Sequence, residues 1–404
     1  MGTRERAVRQ LRSIGRPTAA VLGLSVLVGL TTAPASTAAA PFAPAASAAA
    51  AWAQDRSQGR PLPPPDAEPA VIAAFFAATG PAEAERLVDA HPAVLGQLDG
   101  APAALRYAAN RHRSDESEPA AGPDEAAVRQ EQLLLFDPQG RGRVAVVLGD
   151  LDEARDVAVL VPGSDVDLAR FAESELPLRR PMGMARALHD ELTTRSPGTQ
   201  TAVIAWLGYQ TPEGIGLDAV GGRLARAGAH ELVDFATGLR TQNPDQRISL
   251  VCHSYGAVVC GLAAPELAAD ELVFLAAPGV RAESVEELDT EARVWAGRGE
   301  NDWISAVPKL RLGDLGHGGD PTVETFGARS VPARDVAGHD GYFEPGTDSL
   351  TAVAEIVLGS AAPDVAAVSA EAAPEPGVVP GDSPVGAAGR PAPHPTDDAH
   401  SAVR

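Results

Sequence analysis

The sequence predicts a three-layer α/β domain with a mostly parallel sheet, preceded by a small helical segment. Three observations carry this expectation. Short runs that are wholly apolar recur through the middle of the chain, stretches with helical spacing separate several of them, and a small segment with helical spacing stands ahead of them. Strands that are apolar along their whole length are covered on both faces, and alternation with helices makes their sheet parallel.

The N-terminus comes first. Arg4, Arg6, Arg9, Arg12 and Arg16 precede an uncharged run, Thr18 to Leu30, which is followed by the small-residue sequence Ala33-Pro34-Ala35. That order reads as a secretory signal peptide over 1–35, with an uncleaved anchor as the competing reading. The apolar run is shorter than the roughly 20 residues a spanning helix needs. Residues 36–65 are mostly alanine, proline and serine, as are 361–404, and both stretches are expected to be disordered for want of apolar surface to bury. Between them, 66–122 reads as helices broken at Gly80, Pro81 and Pro92.

The α/β domain is expected over 123–360. "EQLLLFD", the turn "PQGRG" and "RVAVVLGD" form a hairpin pattern. Apolar strands follow at Asp156 to Val161, Thr201 to Leu207, Arg247 to Cys252, Glu271 to Ala276 and Ala292 to Ala296. The clearest helix is Asp218 to Arg240, with Val220, Leu224, Leu232, Phe235 and Leu239 on one face. Ligands of such sheets bind beyond the carboxyl ends of the strands.

Composition narrows the chemistry. A formal charge of −21 repels phosphate backbones, so nucleic acid is not an expected partner. The chain has no metal-ligand spacing, phosphate-binding loop or dinucleotide fingerprint, and no cofactor is expected. Cys252 and Cys260 are the only cysteines. They are read either as a disulfide or as two buried thiols, and the sequence leaves both open.

"CHSYG", Cys252 to Gly256, stands between an apolar strand and a helix. A serine on such a sharp turn is held in a strained conformation with its hydroxyl above the sheet, and small residues two places on either side let strand and helix approach. Cysteine stands at 252 where glycine is usual, while Gly256 keeps the pattern. Ser254 is therefore the candidate nucleophile.

A hydroxyl needs a base, and the base a carboxylate, in the chain order serine, acid, histidine. Asp302, in a loop just past a strand, is the candidate acid, with Glu300 in reserve. His339, in a glycine-flanked loop before the final helix, is the candidate base. His317 competes on order alone and is expected at the surface; His253 is poorly placed to reach the neighbouring serine. For the oxyanion, the expected donors are the backbone N–H groups of Tyr255 and of Ser164 in "VPGSD".

The blocks "LGQLDGAPAALRYAANR", "LVPGSD", "AWLGYQTP", "VCHSYGAVV", "GHGGDPTVETFGAR" and "AGHDGYFEPGTDSL" together resemble an actinobacterial family of secreted α/β-hydrolases whose substrates are largely unassigned. The resemblance runs from about Ala70 to Gly359 and implies an α/β-hydrolase fold with Ser254 as nucleophile and His339 as base. The resulting expectation is a secreted serine hydrolase that cleaves an ester or related acyl bond in a small or lipid-like substrate. The alternatives are an envelope acyltransferase with the same residues and a hydrolase-like binding module without activity.

Overall fold

The apolar runs form the strands expected of them. A computed structural model describes residues 44–214 and 216–361. The expected signal peptide and the tail after 361 lie outside these residues. Strands β1 (Gln132–Asp137), β2 (Arg143–Leu148), β3 (Asp156–Val161), β4 (Thr201–Leu207), β5 (Arg247–His253), β6 (Glu271–Leu275) and β7 (Arg293–Gly297) join one sheet. Two-residue strands β8 (Arg311–Leu312) and β9 (Leu315–Gly316) make a separate hairpin, and β10 (Arg329–Ser330) closes the sheet. The order is β1-β2-β4-β3-β5-β6-β7-β10, antiparallel from β1 through β2 to β4 and parallel from β4 onward.

Alternation along the strands sorts the core into two layers. In β3, Val157, Val159 and Val161 face one cluster, with Phe235 and Leu232 of the helix Arg223–Gln242 and Val258 of the helix Gly256–Ala263. Ala158 and Leu160 face the other, with Leu188 of the helix Pro181–Arg195 and Val353 of the helix Asp348–Val357. The arrangement is the α/β-hydrolase fold, with β5 near the centre of the sheet.

The helices Pro69–Ala77, Pro81–Ala90 and Pro92–Leu95 each begin on a proline, whose missing N–H costs nothing in the first turn. They share a third core with Trp52, Phe75 and Leu95. The helix Ala103–Glu116 ties this layer to the sheet, Asn110 donating to the carbonyls of Gly96 and, in β1, Leu133.

Two expectations are corrected here. The stretch 36–65, expected to be a disordered linker, carries a helix, Ala46–Gln54, within its described part. Its alanines are poor in apolar surface, but Trp52 is fully buried and its indole N–H donates to Pro63 O at 2.6 Å. Truncating a buried indole costs about 3–5 kcal/mol, and this side chain is what ties the helix to the core. The helix expected from Asp218 begins instead at Arg223, after Gly221 and Gly222. A Cβ on Gly222 would lie 2.5 Å from Arg281 Cζ, so glycine admits the guanidinium there and the helical period breaks. Val220 stays outside in the short turn Leu217–Val220 and is half-exposed.

Candidate active site

β5 ends at His253, and the next residue, Ser254, has φ +57°. A non-glycine residue in this left-handed region costs on the order of 1–2 kcal/mol, and the surroundings must hold it there. Its N–H donates to Leu275 O at the end of β6 (3.0 Å). The helix that follows passes close to β3. A Cβ on Gly256 would fall 2.4 Å from Val161 O, so glycine is required on that side of the serine. On the strand side, Cys252 is disulfide-bonded to Cys260 in the helix, with a Cα separation of 6.5 Å. The cysteine thus clips β5 to the helix across the serine turn.

Ser254 Oγ lies 2.9 Å from His339 Nε2, and His339 Nδ1 lies 2.8 Å from Asp302 Oδ1. Asp302 is almost fully buried and caps the turn Trp303–Ala306 by accepting from Ile304 N–H (2.9 Å). Its second oxygen accepts from Tyr342 OH (2.7 Å), which itself accepts from Gly299 N–H. Burial pushes the Asp302 carboxyl up, but the hydrogen bonds from His339, Ile304 and Tyr342 outweigh it and hold it below its ordinary range. The carboxylate is ionised and only accepts, so His339 carries its proton on Nδ1 and offers Nε2 as acceptor to the serine hydroxyl. Glu300 is exposed, two residues away, and has no bond to His339 among the described residues.

The histidines missed by this chain of bonds have other tasks. His253 is buried, and its Nε2 donates to His339 O (2.9 Å), which anchors the loop that carries His339. Burial, with the neighbouring His339 ring as the next cause, lowers His253 to about 3, so its ring is neutral. His317, expected at the surface, is buried: Nε2 donates to Ala219 O (2.8 Å) and the ring packs edge-on to Tyr255. Its glycine-rich neighbourhood reads as an exposed connection, but Gly279 and Gly318 let that connection press against the 279–281 backbone.

The loop after β3 approaches the serine from the other side. A Cβ on Gly163 would lie 2.6 Å from Ser254 Cβ and 3.2 Å from Tyr255 N. Tyr209, fully buried, donates to Pro162 O (2.7 Å) and reaches Gly163 O (3.5 Å). In a trans peptide the N–H points opposite the carbonyl, so pinning these two oxygens turns the Gly163 and Ser164 N–H groups away from Tyr209. Among the described residues neither Ser164 N–H nor Tyr255 N–H has a hydrogen-bond acceptor. Ser164, Ser254, Tyr255 and His339 line one cavity of about 530 Å³, walled by Met184, Ile304 and Val307.

A family described as alpha/beta hydrolase matches residues 137–312, a span that holds Ser254 and Asp302 and stops short of His339. A Mycobacterium bovis protein, Mb0988c, is 30% identical over 216 residues, covering 51% of this chain and 74% of that one. The chain belongs to this α/β-hydrolase family. The chain is also 26% identical over 376 residues to the Mycobacterium tuberculosis protein Rv2079, across 74% of this chain but only 57% of that protein's length. Among solved structures, a serine hydrolase without lid from Xanthomonas campestris is 20% identical at a TM-score of 0.33, over 56% of this chain and 91% of that one. The esterase PE8 is 15% identical at a TM-score of 0.36, over 54% of this chain and 98% of that one.

Sequence reasoning did not find Tyr342, Tyr209 or the anchoring role of His253. The only local signal for Tyr342 was its place three residues after His339 in "HDGYF". No spacing rule announces a hydroxyl that reaches back 40 positions to Asp302.

Proposed function

We propose that the protein is a serine hydrolase acting on carboxylic esters through Ser254, His339 and Asp302. The observation that carries this reading is the unbroken line of hydrogen bonds from the strained Ser254 through His339 to Asp302. His339 Nε2 takes the hydroxyl proton as Ser254 Oγ attacks the ester carbonyl. Asp302 holds the tautomer and stabilises the imidazolium, with Tyr342 keeping the carboxylate in place. The Tyr255 and Ser164 N–H groups receive the negative charge that develops on the carbonyl oxygen. His339 then protonates the departing alcohol, and water, activated the same way, releases the acid from Ser254.

The test is labelling by a water-soluble fluorophosphonate, with the adduct located by mass spectrometry. The expected adduct sits on Ser254, vanishes in Ser254→Ala and falls sharply in His339→Ala, while kcat/KM on a soluble ester drops by about 10⁴ or more in each. Folded protein that takes no label would sink the reading. We also take the protein to be exported. The order of basic, apolar and small residues at the N-terminus supports this, as does the Cys252–Cys260 disulfide, which persists in oxidising compartments. The same mass spectra, taken on secreted protein, should show a chain starting after about residue 35; a retained N-terminus would mean an anchor.

A further inference from the structure

We infer that the mouth of the Ser254 cavity docks on a neutral lipid aggregate, and that the substrate is an amphiphilic ester drawn from it; the substrate half rests on the hydrolase reading of Ser254. Large apolar side chains crowd this mouth: Leu217 is 85% exposed, Leu312 83%, Leu310 71%, Trp303 53%, Leu315 52% and Val220 41%. All but Leu217 line the cavity, and Leu217 opens the same short turn that ends at Val220. Apolar surface gathered in one place marks an interaction face, whereas scattered apolar residues would not.

The ridge is held ready. Apart from Trp303, which stands on the turn Trp303–Ala306, it rides on two segments, the turn Leu217–Val220 and the β8–β9 hairpin with the residue before it, joined by an antiparallel bridge between Gly221 and Leu315. Asp314, in the hairpin's turn, pairs with Arg226 (2.6 Å) and Arg281 (3.2 Å). Tyr255, the residue after Ser254, donates its hydroxyl to Gly221 O (2.9 Å). The apolar rim is therefore fastened to the serine turn itself.

Charge and access select the occupant. Each carboxylate flanking the ridge is paired: Asp218 with Arg223, Asp314 with both Arg226 and Arg281, and Glu287 at 3.9 Å from Arg311, while Lys309 beside Leu310 donates to the Ala277 and Ile304 carbonyls. On a chain of formal charge −21 this rim therefore carries no acidic excess of its own. An anionic membrane is repelled by such a chain, and a zwitterionic or uncharged one is not. A second copy seated on the ridge would cover the apolar rim of the cavity that Ser254 lines. A lipid aggregate keeps it open and lets an acyl chain pass from apolar phase to apolar wall, at Ile304 and Val307, without crossing water.

Flotation of the full chain with phosphatidylcholine vesicles tests the docking. Wild type should partition to them, and Leu217→Ser/Leu312→Ser should partition about tenfold or more weakly, since a buried leucine is worth a factor of that size. Equal partitioning of the two proteins overturns the proposal, and so does binding confined to phosphatidylglycerol vesicles. A wild-type dimer that the double substitution turns to monomer without changing vesicle binding also overturns it, because the ridge then covers a second copy. Soluble-phosphonate labelling separates the two claims. Labelled protein that ignores vesicles sinks the docking alone; vesicle-bound protein that takes no label sinks the hydrolase reading and with it the ester.

Discussion

Two cavities of nearly equal size lie among the described residues, about 530 Å³ around Ser254 and about 510 Å³ beneath the N-terminal helices. They differ in what their polar groups do. Around Ser254 the bonds form one line that converges on Asp302, from Gly299 through Tyr342 on one side and from Ser254 through His339 on the other, and it ends on a hydroxyl that faces open space. Beneath the helices the charges close on each other: Arg106 pairs with Asp99 and Arg143 with Glu231. Asp66, Glu68 and Asp234 also line this cavity, and the Asp234 carboxyl is raised by burial first and then by Asp99 and Glu68 nearby. Volume alone does not distinguish the two. What does is a polar chain that ends on an unspent reactive group, and substitutions in each cavity should therefore have different consequences.

The sharpest way to break this contrast is at Gly163. An alanine Cβ there would stand 2.6 Å from Ser254 Cβ and 3.0 Å from Oγ, a contact that must be relieved by moving either the loop or the serine. Because Tyr209 pins the loop, the serine gives way. Gly163→Ala is expected to lower kcat/KM on a soluble ester by about 10²-fold or more, with a loss of about 1–3 kcal/mol from overpacking. Wild-type kcat/KM in this variant would mean that the loop is free to retreat and does not define the site.

How much of this was legible beforehand follows from the range of each interaction. The strands were readable because β3, β5 and β6 are apolar on both faces, and burial on both faces leaves an unbroken run. The serine turn was readable because the close approach to β3 demands a glycine at a fixed place, Gly256, only two residues from Ser254. The helix around Trp52 was not, because alanine-rich composition speaks for the average residue and a single indole decided the outcome. His317 was placed at the surface because its glycines signal a turn, although here they admit close backbone approach. Tyr342 and His253 act across 40 and 86 positions, a reach that no local pattern encodes. The β8–β9 hairpin passed unseen for the opposite reason, since two-residue strands leave no period to detect.

His253 offers a finer test, because it separates holding the base from merely filling space. The unfolded ring takes its proton near the ordinary value of 6.5 and the folded ring only near 3. Between those values the unfolded state binds more protons, so stability falls as the pH drops through the window. Over its full width the effect is on the order of 5 kcal/mol. His253→Gln, which cannot titrate, is expected to flatten that acid slope in urea-denaturation midpoints taken from pH 7 to pH 3. It should also lower kcat by about tenfold with little change in KM, since the His339 loop loses its rigid anchor. A flattened slope with unchanged kcat would show that the ring is packing alone.

The second cavity supplies the smallest expected effect on activity. Arg106 is buried, reaches Asp99 at 2.7 Å and lies 5.9 Å from the Phe235 ring. Replacing it with methionine keeps much of the stem's apolar contact and removes the charge. Asp99 is one-fifth exposed and can be rehydrated, so the cost falls below that of a fully buried pair, at about 2 kcal/mol, or a few degrees in Tm. Arg106→Met should leave kcat/KM on a soluble ester within about twofold of wild type, because charges that close on each other send nothing toward Ser254. A tenfold loss of activity at an unchanged Tm would reverse the contrast: the cavity beneath the helices would then take part in turnover, and the paired charges would be a binding site awaiting its ligand.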